Sequence, residues 1–186
     1  MRRSLFFVLL LVFCITHTAR AQGQWMVGAD GAVGLSAYAP RFSVGVEASF
    51  YLLNKPHFKL GPGVGFTFSG ERYELLPQAN LRKGCYIPVF LRGEYDFPLG
   101  NIYGFALLDL GYQFGVFGWA YNGSRLMNAE ILAFRAWFAS PQVGLNLGKR
   151  TYLATGLWIP FKNVREKTGY GQEIPLSLSL RFGVRL

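Results

Sequence analysis

Polar chemistry in this chain has few places to happen. Beyond residue 21 there is one histidine, His57, and one cysteine, Cys85. A histidine can serve as general base only with a nucleophile and an orienting group beside it, and His57 follows Pro56 in a turn-rich stretch with no such partner near it. Cys85 has no histidine nearby in sequence and reads as a passive thiol. No cluster of ligand residues has metal spacing, and no cofactor is expected. Gly61-x-Gly63-x-Gly65 has the glycine density of a phosphate loop, but such a loop must open a helix whose N-terminus holds the anion. Here the glycines alternate within a strand pattern, so they read as small residues on one face of it. Asn122-Gly123-Ser124 matches a glycosylation sequon and is first of all a turn signal.

The charged residues are more informative. Asp30, Glu47, Arg92, Glu94, Asp109, Arg181 and Arg185 all fall on the less apolar side of alternating segments. Charges pointing into an apolar or narrow interior are costly alone, so these should pair, with Asp30 directed towards Arg181 or Arg185. The expected role is a structural salt-bridge plug rather than a path for protons or ions.

Strands must position them. Phe42, Val44, Val46, Ala48, Phe50 and Leu52 oppose Ser43, Gly45, Glu47, Ser49 and Tyr51. Phe58 to Gly70 and Ile174 to Leu186 alternate as regularly, the latter setting Leu176, Leu178, Leu180, Phe182, Val184 and Leu186 against Ser177, Ser179, Arg181, Gly183 and Arg185. A period of two over such lengths specifies β-strand. Noisier alternation covers 25–36, 86–97, 102–117, 137–147 and 151–161, giving eight strands. Most are long enough for a tilted membrane crossing of about 9–11 residues.

The connections alternate too. Asn54-Lys55-Pro56-His57, Pro98-Leu99-Gly100-Asn101 and Gly148-Lys149-Arg150 are tight links, whereas 71–85, 118–135 and 162–173 are longer and more polar; 37–40 is short but falls on their side. This is an up-and-down meander with all tight turns at one end. A soluble eight-stranded barrel of the lipocalin kind would also alternate, but its outward face would have to be wetted. Here the polar face is mostly Gly, Ser and Thr and reads as a crowded interior. Aromatic residues gather near the strand ends: Phe117, Trp119, Tyr121, Phe134, Trp137, Trp158 and Phe161 at one, Trp25, Phe58, Tyr95, Phe97, Tyr103 and Tyr152 at the other. Two girdles are what interfacial anchoring requires. The expected fold class is all-β, an eight-stranded antiparallel up-and-down transmembrane β-barrel.

The N-terminus supplies an address. Met1-Arg2-Arg3, the apolar run Leu5–Ile15 and Ala19-Arg20-Ala21 form the basic, apolar and A-x-A regions of a secretory signal peptide, expected at 1–21 with the barrel domain at 22–186. The run is too short for a spanning helix, and Phe13 before Cys14 argues against lipoprotein processing. Cleavage would take three of the 19 basic residues and leave a formal net charge of +6 (16 basic against 10 acidic residues). An exported chain of this charge is expected to meet anionic lipid or lipopolysaccharide rather than nucleic acid. Hydrophobic residues make up 51% and aromatic residues 17% of the chain, with no second run of helix-spanning length.

Tyr86-Ile87-Pro88-Val89-Phe90-Leu91-Arg92-Gly93-Glu94-Tyr95, Leu107-Leu108-Asp109-Leu110-Gly111-Tyr112 and the closing Leu178-Ser179-Leu180-Arg181-Phe182-Gly183-Val184-Arg185-Leu186 resemble small OmpA/OmpX-type barrels. They resemble more closely the porin-like "outer membrane protein beta-barrel domain" family. The resemblance is one of pattern over the whole of 22–186. It implies an outer-membrane location in a Gram-negative-type cell, both termini in the periplasm, and insertion by the barrel-assembly machinery. Leu186 departs from the terminal aromatic residue common in such barrels. Fold alone does not fix function. The leading expectation is a non-enzymatic protein with a structural or surface-interaction role. Arg72, Arg82, Lys83, Arg125, Lys162, Arg165 and Lys167 would meet lipopolysaccharide phosphates or a surface protein partner. The alternatives are an accessory subunit of a secretion, conjugation or uptake complex, and a lipid A-modifying enzyme, which would need a histidine at the outer end.

Overall fold

A computed structural model describes residues 23–35, 41–73, 80–122, 125–128, 136–163 and 176–186. The signal-peptide region, the 37–40 connection named from the sequence, Phe134, Arg165 and Lys167 lie outside the described residues. Ten strands occur among those described: β1 Gln24–Gly34, β2 Arg41–Tyr51, β3 Leu53–Asn54, β4 Phe58–Tyr73, β5 Asn80–Leu99, β6 Ile102–Asn122, β7 Arg125–Asn128, β8 Ala136–Asn146, β9 Thr151–Asn163 and β10 Ser177–Arg185. β3 and β7 are short additions. The other eight form a closed antiparallel ring, because β1 pairs with β10 as well as with β2, and β2 pairs with β4. This is the up-and-down architecture that the alternation specifies.

The β1–β10 seam aligns Met26 with Arg185, Asp30 with Arg181 and Gly34 with Ser177. The tight turns, Gln24 and Leu186 lie at one end, hereafter the turn end; Leu186 N–H donates to Trp25 O (2.8 Å) and Arg185 N–H to Arg150 O (2.7 Å). The β5–β6 hairpin closes through Gly100-Asn101, and Gly100 has φ +62°, a conformation that a two-residue hairpin requires and a side chain disfavours.

The register fixes which face each residue takes. Phe42, Val44, Val46, Leu178, Leu180 and Phe182 are exposed on the outside of the ring. Ser43, Glu47, Ser49, Ser177, Ser179, Arg181 and Arg185 are buried inside it. The glycines read as wall residues lie inside, and the Phe90 ring lies where a Cβ at Gly63 would go.

Two girdle assignments are corrected. Tyr152 is wholly buried, packed against Phe105 with ring centroids 5.8 Å apart, its hydroxyl 2.6 Å from where a Cβ at Gly28 would stand. Glycine at 28 and 183, paired across the seam, leaves the space that turns this ring inward. Trp158 also faces inward, stacked on Phe138 (5.7 Å, 25°). Trp137 stays outside and Phe138 turns in by ordinary alternation, and the register shift beside them leaves Phe161 of β9 as the extra residue.

The connections 71–85 and 118–135 are shorter than expected. β4 runs to Tyr73, β5 starts at Asn80 rather than Tyr86, and β6 continues to Asn122 rather than Phe117. Past Gln113, the last β6 residue paired with β8, β6 pairs only with β5 and β7 among the described residues. At the loop end the wall therefore rises on one side as a β-ribbon built from β4 to β7.

Candidate functional site: the charged lumen

The interior polar groups form two layers. In the middle of the barrel stand Glu47 on β2, Arg92 on β5, Asp109 on β6 and Arg181 on β10. Arg92, fully buried, donates from Nε to Asp109 Oδ1 (2.7 Å) and from NH2 to Asp109 Oδ2 (2.8 Å), the two-pronged geometry that a planar guanidinium offers a carboxylate. Its NH2 also reaches Glu47 Oε1 (2.7 Å), and its NH1 donates to Ser49 Oγ (3.2 Å). Arg181 completes the ring, with NH2 2.9 Å from Glu47 Oε2 and NH1 3.1 Å from Asp109 Oδ2. Two guanidinium groups and two carboxylates make a neutral quartet. Arg92 and Asp109 are register partners on adjacent strands, whereas the Arg92–Glu47 and Arg181–Asp109 contacts cross the lumen.

The second layer lies towards the turn end and centres on Glu94. It accepts from Tyr51 Oη at Oε2 (2.5 Å) and from Lys59 Nζ (2.7 Å) and Arg185 NH2 (2.8 Å) at Oε1. Lys59 also binds Asp96 Oδ2 (2.5 Å), and Arg185 donates to Asn146 Oδ1. The Arg185 guanidinium lies over the rings of Phe105 (4.9 Å) and Tyr152 (5.5 Å). This layer is neutral as well, with two cations and two carboxylates. Met26, fully buried, joins the layers: its sulfur lies 3.1 Å from Tyr51 Oη and 3.7 Å from Arg92 NH1.

Six of the seven interior charges named from the sequence enter these layers: Glu47, Arg92, Glu94, Asp109, Arg181 and Arg185. Asp30 does not. It stands opposite Arg181 in the β1–β10 register, yet Arg181 turns to Glu47 and Asp109 instead. The sequence reading missed Lys59, Asp96 and Tyr51 as members. Their signal was present, since all three fall on the polar side of the alternation and Lys59 aligns with Glu94 across β4–β5.

The basic residues named as surface contacts are dispersed. Lys83 is exposed on β5 near its loop end. Arg72, Arg82, Arg125 and Lys162 belong to β4, β5, β7 and β9, so they sit on strands and not in loops; their side chains, with Arg165 and Lys167, lie outside the description. His57 is exposed in the turn before β4, where its carbonyl accepts from Asp96 N–H (3.0 Å), at the turn end of the barrel. Cys85 is buried beside a register shift at Cys85/Tyr86, where Val116 is the extra residue on β6. Among the described residues no group of three or more His, Cys, Asp and Glu side chains is placed to hold a metal.

No protein-family model matches the chain. No curated protein gives a significant sequence match. Among solved structures the chain is similar to neisserial surface protein A, with 14% identity and a TM-score of 0.49 over 88% of this chain and 96% of that one. It is also similar to the N-terminal β-barrel domain of Pseudomonas aeruginosa OprF (13%, 0.44, 89% and 100%). A third similar structure is the outer-membrane protein OprG of Pseudomonas aeruginosa (10%, 0.47, 88% and 95%).

Proposed function

We propose that the chain is an integral outer-membrane protein whose barrel is a closed, non-conducting scaffold. Its tight turns and both termini would face the periplasm, and its β4–β7 ribbon would stand outside. One observation carries this reading: the ring is inside out relative to a soluble barrel. Apolar side chains such as Val46, Leu180 and Phe182 are exposed on the outer wall, while the lumen buries charge. An apolar outer band suits hydrocarbon, and a closed ring leaves no unpaired strand edge in it. Eight strands enclose only enough room for side chains, and both ionic layers lie across that room.

The role is structural or surface-interacting and not catalytic. The ribbon supports this part: β5 and β6 stay paired from Leu99↔Ile102 to Asn80↔Asn122, about twice the length that a crossing needs. Arg72, Arg82, Lys83 and Arg125 belong to this ribbon, where they would meet lipopolysaccharide phosphates or an acidic partner.

Two measurements on one preparation test the reading. Full-length protein expressed in a Gram-negative host fractionates with the outer membrane and shows a heat-modifiable gel shift. The refolded barrel gives no stable conductance steps in planar bilayers. Recovery in the soluble periplasmic fraction overturns the membrane assignment, and large ohmic steps overturn the closed lumen.

A further inference from the structure

Above the quartet, on its loop-end side, the lumen holds a small chamber of mixed lining, with Phe90, Phe138 and Trp158 among its walls and a void of about 40 Å³. At about 10–15 Å³ per water, this is room for about three waters or one small ion with part of its shell. Asp30, Ser43, Thr67, Gln142, Ser179 and Arg181 line it.

Three observations bear on its occupant. Asp30 is a carboxylate in excess, since the guanidinium groups of Arg92 and Arg181 are already matched by Asp109 and Glu47. Gln142 Oε1 and Ser179 Oγ are buried without a hydrogen-bond partner, on side chains 4% and 5% exposed, and both residues line the chamber. Asp30 Oδ1 and Thr67 Oγ1 converge over Gly45, 2.9 Å and 2.6 Å from where a Cβ at that position would be. Buried polar oxygens without partners cost free energy, and an uncompensated carboxylate costs more.

We propose that this chamber binds one small monovalent cation, an alkali ion or ammonium, with Asp30 as the charged ligand and Thr67, Gln142 and Ser179 as neutral oxygen ligands. The charge fixes the valence. One excess carboxylate balances one positive charge, whereas a divalent ion would leave the chamber positive beside Arg181. Calcium sites also recruit several carboxylates and six to eight oxygens. Arg181, itself cationic, lines the same chamber and sets the limit of the cation's approach on the β10 side. The proposal does not depend on whether the barrel conducts, so it stands or falls apart from the function proposed above.

The test is thermal unfolding of the refolded full-length barrel in sodium, potassium, ammonium or N-methylglucamine chloride at constant ionic strength. N-methylglucamine is too large for the void. At least one small cation raises the Tm saturably, by about 2–4 °C once well above half-saturation. Asp30→Asn abolishes the response. Gln142→Leu keeps the carboxylate and raises the half-saturating concentration at least threefold. Identical Tm values in all four salts, or an undiminished response in Asp30→Asn, overturn the site. If Asp30→Asn does not refold, Gln142→Leu decides, and an unchanged midpoint in that variant overturns the proposal.

Discussion

Arg92 is the residue on which the interior turns. It is wholly buried, it binds Asp109 with two prongs, and it shares Glu47 with Arg181. Removing one partner of a buried ion pair leaves the other charge uncompensated, whereas replacing a whole group by apolar side chains of similar volume is often neutral. Arg92→Met is therefore expected to destabilise the barrel by about 3–5 kcal/mol, and a quadruple replacement of the quartet by Met and Leu to recover most of that loss. Urea unfolding in lipid vesicles measures both, and equal stability of Arg92→Met and wild type would show that the quartet does not hold the lumen. The His57 imidazole gives a contrasting expectation. It lies at the turn end, and with that end in the periplasm, as proposed above, an outer-leaflet lipid presents its acyl esters at the other side of an apolar band about 25 Å tall. A general base must come within hydrogen-bond reach of the proton it takes. His57→Ala should leave the lipid A profile of expressing cells unchanged by mass spectrometry; a change in acylation that depends on His57 would place the turn end outside.

At the scale of the strand, β10 carries the clearest consequence of alternation. Arg181 points in and Phe182 points out, one residue apart. Phe182→Arg puts a charge on the outer wall midway along the strand, and the expected cost is about 2–4 kcal/mol if that position lies near the bilayer midplane. Folding titrations in lipid vesicles read it, and a cost near zero would mean that Phe182 does not face hydrocarbon. The regular strands were legible in the sequence because each position needed only one bit, in or out, and the hydrophobic pattern supplies it. The two misplaced aromatics show where that fails. Tyr152 and Trp158 lie on β9, whose two faces are almost equally apolar, so periodicity could not separate them. What turns Tyr152 inward is the space above Gly28 and Gly183, which depends on strands far away in sequence. Strand ends were illegible for a different reason. The extension of β5 carries Asn80, Arg82 and Lys83, so its polarity matched that of a loop, and the extension of β6, Gly118 to Asn122, breaks the alternation, although both backbones stay paired.

At the scale of the whole molecule, most of the interior charges could be named from the sequence but their pairing across the lumen could not. Register predicts neighbours on adjacent strands, such as Arg92 with Asp109 and Lys59 with Glu94. The contacts that cross the lumen, Arg185 to Glu94 and Arg181 to Asp109, depend on the curvature of the closed ring. Asp30 illustrates the limit, since its register partner Arg181 is claimed from across the lumen. The seam between β1 and β10 makes the ring depend twice on one strand. Both layers take one of their two cations from β10, Arg181 in the quartet and Arg185 in the lower layer. Without β10, each layer carries one negative charge too many, and β1 has an open edge. A barrel without β10 is thus both unclosed and electrically unbalanced, which makes it a poor guest for hydrocarbon. β10 thus carries both the closing edge and the balancing cation of each layer, so the ring shuts geometrically and electrically through one and the same strand.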